Sequence, residues 1–307
     1  MQPSRTRIPP DDRRTTNRSI HRRAPTVLLC LALGLLLAAL AAPAARAVEE
    51  SGSQTEALRW DGTGERVLRV CNIQGSVTAR GVAGDAGSLV DHATFKGPTA
   101  ASVARAKELM PLQIARHGNV IEVSVGGPCE GEHHGERRRD EHWEAVHDLT
   151  IEIPQGVRTE LRTINQGDVR LTDHRGPFEL TNVNGSVTAE GLVGSGSATT
   201  VNGPVRVRFA EAPREACSFR SVNGAVDLGF PAGLVASFRF QTLNGDIFTD
   251  LPFDMAPLAE TVDRKDGGHT KGRYRIHKRW STAVTIGGGG PEHSVQTLNG
   301  DITIRKN

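Results

Sequence analysis

Aromatic side chains are scarce. They make up 4% of the 307 residues, with a single tyrosine, Tyr274, and three tryptophans, Trp60, Trp143 and Trp280. Single-stranded nucleic acid is usually held by stacking bases on aromatics along a basic groove. No basic stripe with interleaved aromatics occurs here, so nucleic acid is not an expected partner. Cysteine is sparse too, four residues in all, and no two stand in a C-x-x-C spacing, which removes redox and zinc-ribbon modules. No G-x-S-x-G, H-E-x-x-H or dinucleotide fingerprint is present. The run GGGG at 287–290 is not followed by Lys and Ser or Thr, so it does not read as a phosphate loop.

Long apolar runs are also missing, with one exception. Arg22-Arg23-Ala24-Pro25 leads into TVLLCLALGLLLAALAAP, and Ala45 and Ala47 follow in a small-x-small arrangement. This is the pattern of a secretory signal over residues 1–47, cut after Ala47 and taking Cys30 with it. The run is short for a membrane span, which needs roughly 20 residues. The rival reading is an uncut anchor, and the membrane would then be met only through this leader. The leader also carries the basic balance of the chain. It holds eight arginines and two aspartates, leaving 29 basic against 33 acidic residues, a net of −4. The basic excess of the whole sequence therefore says nothing about partners of the remainder. Export exposes Cys71, Cys129 and Cys217 to an oxidising compartment, which leaves room for one disulfide without choosing its partners. Alternatively, Cys71 and Cys217 read as small buried residues within strands.

What the chain has in abundance is one phrase. TLNGDI occurs at 242–247 and again at 297–302, with looser copies NVNGSV, TVNGPV and SVNGAV. The shared glycine falls at Gly75, Gly167, Gly185, Gly203, Gly224, Gly245 and Gly300, and from Gly167 to Gly245 the spacings are 18, 18, 21 and 21 residues. Two positions after each glycine stands Val77, Val169, Val187, Val205, Val226, Ile247 or Ile302. The copy at Gly167 reads TINQGDV, with one residue extra, as a bulge would supply. On a strand, alternate residues face the same side, so glycine +2 and +4 read as inward and +1 and +3 as outward. A fixed phrase every 18 to 21 residues suits the corner of a stacked repeat, with adjacent repeats about 4.8 Å apart. Asn184, Asn202, Asn223, Asn244 and Asn299 are then placed to form a side-chain ladder. The expected fold is all-β: a single-stranded parallel β-helix or solenoid with one short helix, preceded by the signal peptide. An antiparallel sandwich of repeated hairpins is the alternative.

The T-x-N-G-D-I phrases, together with VHDLTIEIPQGVRTELRTINQGDVRL and the ending IGGGGPEHSVQTLNGDITIRKN, resemble the bacterial putative-adhesin family of β-strand-repeat domains of unknown function. The resemblance covers roughly residues 66–307. It implies a β-helix-like domain on exported or membrane-anchored envelope proteins and supplies no catalytic residues. Segments 130–147 and 251–282 depart from the pattern as insertions.

Outside the repeats, residues 48–65 are polar and read as a flexible linker. GPTAASVARAKELM reads as a helix capped by Thr99 or Ser102 and stopped by Pro111. Such a helix at the end of the stack would protect an exposed sheet edge. LQIARHGNVIEVSV reads as a hairpin turning at Gly118-Asn119, with Ile121, Val123 and Val125 on one face.

Few residues suggest chemistry. His133, His134, His142 and His147 lie in a His-rich tract that could hold a metal, but the tract also carries Arg137, Arg138 and Arg139, and its spacing matches no closed site. Asp168, Asp246 and Asp301 all occupy glycine +1. Were the repeats of Gly245 and Gly300 neighbours, Asp246 and Asp301 would lie about 5 Å apart, a distance suited to calcium or to acid–base work on a sugar. Ordinary turn chemistry explains Asn-Gly-Asp equally well. Trp60, Trp143, Trp280 and Tyr274 could stack on sugars or close the ends of the core. No catalytic residue and no cofactor is expected. The function expected is that of a non-enzymatic exported binding or scaffold surface in the cell envelope. Its partner would be an envelope glycan, an envelope protein or a second copy. An envelope-stress sensor or a polysaccharide-active enzyme is the alternative.

Overall fold

The computed structural model describes residues 47–129, 142–256 and 281–307. The chain opens with β1 (Val48–Arg59), β2 (Val67–Cys71), β3 (Val77–Val82) and β4 (Ala86–Gly97). Helix α1 (Ala100–Leu109), β5 (Leu112–His117), β6 (Val120–Val125) and β7 (Glu144–Pro154) follow. The repeats then supply β8 (Arg158–Thr163), β9 (Val169–Thr172), β10 (Phe178–Asn182), β11 (Val187–Leu192), β12 (Gly196–Asn202), β13 (Val205–Phe209), β14 (Ser218–Asn223) and β15 (Val226–Phe230). The C-terminal part holds β16 (Ala236–Asn244), β17 (Ile247–Thr249), β18 (Asp254–Ala256), β19 (Ser281–Ile286), β20 (Glu292–Asn299) and β21 (Ile302–Lys306).

These strands form two large sheets. In the first the order is β1-β4-β7-β3-β9-β11-β13-β15-β21-β17, and in the second β18-β19-β16-β20-β14-β12-β10-β8-β2-β6-β5. Each repeat gives one strand to each sheet and crosses between them at its glycine phrase. Neighbouring repeats pair in parallel, as in Val187↔Val205 and Thr199↔Arg220. The sheets are nevertheless mixed. The pairings β1–β4, β4–β7, β5–β6, β16–β19 and β18–β19 are antiparallel. The all-β class stands as the sequence suggests, with one helix among the described residues; a purely parallel pattern does not.

The core lies between the sheets. Val77, Val169, Val187, Val205, Val226 and Ile302 are all fully buried, and Ile247 is half-buried. Scarce as aromatics are, six of them gather here. Phe178, Phe209, Phe219, Phe230, Phe238 and Phe240 form a run of rings whose centroids lie 5.2 to 6.2 Å apart. Offset and edge-on contacts of this kind add about 0.5–1.5 kcal/mol per pair beyond burial.

Spatial order departs from chain order at both ends of the stack; near its start β7 lies between β4 and β3, and β2 lies between β6 and β8. After β15 the chain skips a position and lays β16 and β17 one repeat further out. Strands β20 and β21 later fill the gap, pairing with β14 and β15 on one side and with β16 and β17 on the other. The two identical TLNGDI phrases are therefore neighbours, with Asn244 opposite Asn299.

Several expectations are corrected. Residues 48–59 are not a flexible linker: β1 pairs along its whole length with β4, from Val48↔Gly97 to Arg59↔Ala86. Most of its side chains are exposed, so backbone hydrogen bonding rather than side-chain burial holds it. The supposed insertion at 130–147 gives its last four residues to β7, and that at 251–282 contains β18 and the start of β19. Helix α1 lies at the N-terminal end of the stack, where β1 is the edge strand. It packs on β4, β1 and β7 over a second apolar cluster of Phe95, Val103, Ala106, Met110, Val125, Trp143 and Ala145. Its start is a reciprocal cap in which Thr99 Oγ1 accepts from Ser102 N–H and Ser102 Oγ accepts from Thr99 N–H. The hairpin β5–β6 turns at Gly118-Asn119 with Ile121, Val123 and Val125 buried.

Cys71 and Cys129 form a disulfide across 58 residues, while Cys217 is buried and free. Closing a loop of that length limits the unfolded chain by up to about 4 kcal/mol. Reduction should therefore lower the urea midpoint markedly and leave the near-native circular dichroism of the folded state intact below it. The Cys71→Ala/Cys129→Ala variant should reproduce the reduced value, and an unchanged midpoint would sink this account.

Candidate functional site: the repeat corner and the outward sheet faces

The phrase T-L-N-G-D-I can be read atom by atom. Its first residue, buried in every copy except the half-buried Thr242, binds the neighbouring repeat. Thr200 Oγ1, Ser221 Oγ, Thr297 Oγ1 and Thr242 Oγ1 donate to the carbonyls of Gly185, Gly203, Gly224 and Gly300, at 2.8, 2.8, 2.9 and 3.3 Å. Asn182 takes the same place and donates to Gly167 O at 2.9 Å. Thr163 Oγ1 donates to Gly75 O at 2.8 Å. A buried hydroxyl needs a partner, and the glycine carbonyl next door is that partner.

The asparagine forms the outer ladder. Asn184 Nδ2 donates to Asn165 Oδ1 (2.7 Å), Asn202 to Asn184 (2.8 Å), Asn223 to Asn202 (2.9 Å), Asn299 to Asn223 (2.7 Å) and Asn244 to Asn299 (2.7 Å). Asn165 belongs to the shifted copy. The extra residue there is Gln166, which takes the left-handed conformation at φ 54° and so returns Asn165 to register.

The glycine is required by contact. A Cβ on Gly185, Gly203, Gly224, Gly245 or Gly300 would overlap the carbonyl of the adjoining repeat's glycine, and one on Gly167 that of Gly75. One Cβ on Gly75 itself would strike the His147 backbone. The residue after the glycine faces outward. Asp168 Oδ1 accepts from Ser186 N–H at 2.7 Å and Asp301 Oδ1 from Asp246 N–H at 2.9 Å. Asp246 and Asp301 are thus neighbours, but the Asp301 carboxylate is occupied in fixing a backbone corner.

Of the histidine tract only His142 and His147 fall among the described residues. His133 and His134 lie outside the described residues, as do Tyr274 and Trp280. His142 is exposed. His147, a proposed ligand, is instead buried in β7 with Nδ1 3.0 Å from Asp91 Oδ2 and Nε2 3.1 Å from Met110 O. Both ring nitrogens are engaged, so it cannot join an outward metal site. Among the described residues no three His, Cys, Asp or Glu side chains converge. Trp143 is buried in the second cluster, and half-buried Trp60 donates Nε1–H to Val67 O at 3.1 Å, so neither offers a free sugar platform.

Two histidines that the sequence reading passed over are fully buried. His293 lies 5.2 Å from the Phe238 ring and 6.1 Å from Phe230, and its Nδ1 accepts from Cys217 N–H at 3.1 Å. His174 sits near the Val157 and Pro177 carbonyls. Burial pushes each imidazole down to about 4, in His174 against the opposing pull of those carbonyls.

The outward face of the second sheet is a grid. One row runs Glu122, Arg69, Glu160, Glu179, Ser197, Ser218, Ser294, Arg239, and the next, beginning beside the buried Ser124, runs Cys71, Arg162, Thr181, Thr199, Arg220, Gln296, Gln241. Parallel register brings like positions together at the strand spacing of about 4.8 Å. A cavity of about 280 Å³ opens on this face beside the disulfide, between Arg69, Glu160, Arg162, Glu179 and Thr181. Arg69 Nε is 2.8 Å from Glu160 Oε2, so part of its charge is satisfied internally.

No known family profile and no curated protein matches this sequence. Among solved structures, the chain is similar to a putative cell adhesion protein from Clostridium sporogenes at 9% identity and a TM-score of 0.42, over 84% of this chain and 100% of that one. It is also similar to a putative adhesin from Bacteroides fragilis at 13% identity and a TM-score of 0.30, over 83% and 97% of the two chains. A lipid binding protein from Parabacteroides distasonis, also named as putative, is similar at 9% identity and a TM-score of 0.24 over the same shares. Likenesses at this level assign neither ligand nor activity.

Proposed function

We infer that this protein is an exported β-solenoid whose sheet faces serve as a non-enzymatic binding or scaffold surface in the cell envelope. The observation that carries the reading is the outward grid of the second sheet. It presents charged and polar side chains at a fixed repeat, with Ser197, Ser218, Ser294, Thr181 and Thr199 at its middle, and is anchored from behind by fully buried residues such as Leu161, Leu180, Ala198, Phe219 and Val295. A face of this kind presents hydrogen-bonding groups that are already ordered, so a repeating ligand meets little entropic cost on docking. The Cys71–Cys129 bridge and the apolar leader support an oxidising, extracytoplasmic location. The partner best suited is an envelope polysaccharide, whose own repeat can match a regular array.

The test is retention on immobilised protein of fractionated envelope glycan and envelope protein, with a face variant as control. Thr199→Arg together with Ser197→Arg should abolish retention of the specific component while leaving the thermal midpoint within about 1 °C, as expected of an exposed or half-exposed surface. If a folded protein retains nothing, or the face variant retains the same material, the reading fails.

A further inference from the structure

The stack ends differently at its two edges. At the N-terminal end the first sheet closes with β1, whose exposed row carries Glu49, Glu50 and Glu56, charges that discourage further strand pairing. At the other end β19 covers β16 only over residues 236–241, and among the described residues no strand lies outside β17. The segment Thr242–Thr249 is therefore an open corner, flanked by the exposed apolar side chains Leu243 and Phe248. A cavity of about 200 Å³ lies against it, lined by Thr242, Gly245, Asp246, Ile247 and Thr282.

What this corner lacks can be read from the repeats inside it. There the N–H of each phrase glycine donates to the asparagine carbonyl of the next repeat outward, as in Gly224 N to Asn299 O and Gly300 N to Asn244 O, both 2.9 Å. The N–H two residues on donates to the glycine +1 carbonyl, as in Val226 N to Asp301 O and Ile302 N to Asp246 O, both 2.9 Å. By the same rule the N–H groups of Gly245 and Ile247, the Gly245 carbonyl, the Asn244 Oδ1 and the Asp246 carboxylate all face outward, where no further repeat stands among the described residues. The two N–H donors, the glycine carbonyl and the asparagine Oδ1 stand as they do at the inner corners, and the Asp246 carboxylate stands as those of Asp168 and Asp301 do.

We propose that Thr242–Thr249 is a strand-addition site that captures an extended peptide carrying a Thr-x-Asn-Gly-Asp corner from another polypeptide. The threonine hydroxyl of the incoming segment donates to Gly245 O, and its asparagine amide donates to Asn244 Oδ1. Its asparagine and aspartate carbonyls accept from Gly245 and Ile247 N–H, and its aspartate N–H meets the Asp246 carboxylate. Its glycine is obligatory, because a side chain there would strike the Gly245 carbonyl as it would between any two inner repeats. Backbone pairing supplies the attraction, and the corner supplies the sequence preference. This site is separate from the sheet faces and does not depend on what they bind.

The experiment uses the labelled heptapeptide TLNGDIF, a copy of residues 242–248, titrated with the purified protein and followed by fluorescence anisotropy. The expected result is saturable one-site binding, weakened at least tenfold for TLNADIF. Asp246→Ala should weaken binding several-fold without moving the thermal midpoint. Three results would overturn the proposal. One is no saturable binding to protein shown by circular dichroism to be folded. Another is equal affinity for the glycine and alanine peptides. The last is a concentration-dependent dimer that excludes the peptide, which would give this edge to a second copy of the chain.

Discussion

Gly224→Ala is expected to cost more than 3 kcal/mol of stability, or to prevent folding outright. A Cβ at this position overlaps the Gly203 carbonyl oxygen and carbon and comes within 2.9 Å of Pro204 N. Every atom in its way is backbone, held by Gly203 N–H bonding to Asn223 O and Val205 N–H to Ala225 O. Relief requires two repeats to move apart by more than about 1 Å, beyond what strand spacing tolerates. Ordinary overpacking costs about 1–3 kcal/mol, and here the hydroxyl and amide ladders on either side are stretched as well. Gly52→Ala is the matched control, since nothing lies within 4 Å of its Cβ. Urea midpoints of the two variants would decide the matter. Values within about 1 kcal/mol of each other would show that the glycine column is not the spacer described above.

Acid is expected to unfold the protein well before its carboxylates are titrated out. His174 and His293 have folded-state values near 4 against an ordinary 6.5. A depressed value means that the fold favours the neutral ring, so the contribution is complete above about pH 6.5. It fades as pH falls toward 4, because the unfolded chain takes up the proton first. At 1.36 kcal/mol per pKa unit, each fully buried ring accounts for roughly 3 kcal/mol over that window. Burial is the cause at both rings; at His293 the Nδ1 also accepts from Cys217 N–H, a bond that protonation there would break. Stability measured from pH 7.5 to 4.5 should fall by several kcal/mol. The double variant His174→Leu/His293→Leu should fall by much less over the same range. Losing the acceptor for Cys217 N–H lowers the variant at every pH by about 1–3 kcal/mol, so the slope is the discriminating quantity. Parallel curves for the two proteins would rule out the histidines as the cause.

Much of the architecture is legible in the repeated phrase, because period-two alternation and a fixed corner are enforced by every repeat at once. The inward positions from Val77 to Ile302 and the asparagine column follow from counting alone. Other features leave weaker traces. Strand β1 is a row of exposed Glu, Ser, Gly and Gln residues, and nothing in such a sequence distinguishes an edge strand from a linker. The buried hydroxyl at the start of the phrase looks polar and is easily placed outside; its partner is a backbone carbonyl that has no side-chain signature. Asn165 is hidden by the one-residue bulge at Gln166. The pairing of Cys71 with Cys129 depends on β6 lying beside β2, a long-range contact. The position of the last repeat was hidden for a different reason. Two identical phrases carry no mark of which one lies outside the other.

That reversal bears on how the molecule is made. From β8 to β15 each repeat can be added in the order in which it is synthesised, on the repeat before it. Residues 236–249 cannot, because the place beside β15 belongs to residues 292–306, and Asn299 reaches its partner Asn223 across 76 positions of sequence. Until that late segment arrives, Phe238 and Phe240 have no finished core to enter, and the β15 edge stays bare. Distant partners of this kind slow folding and prolong the exposure of apolar strands. A nascent chain is therefore most vulnerable in this interval, and residues 292–306 act as a keystone that shortens it.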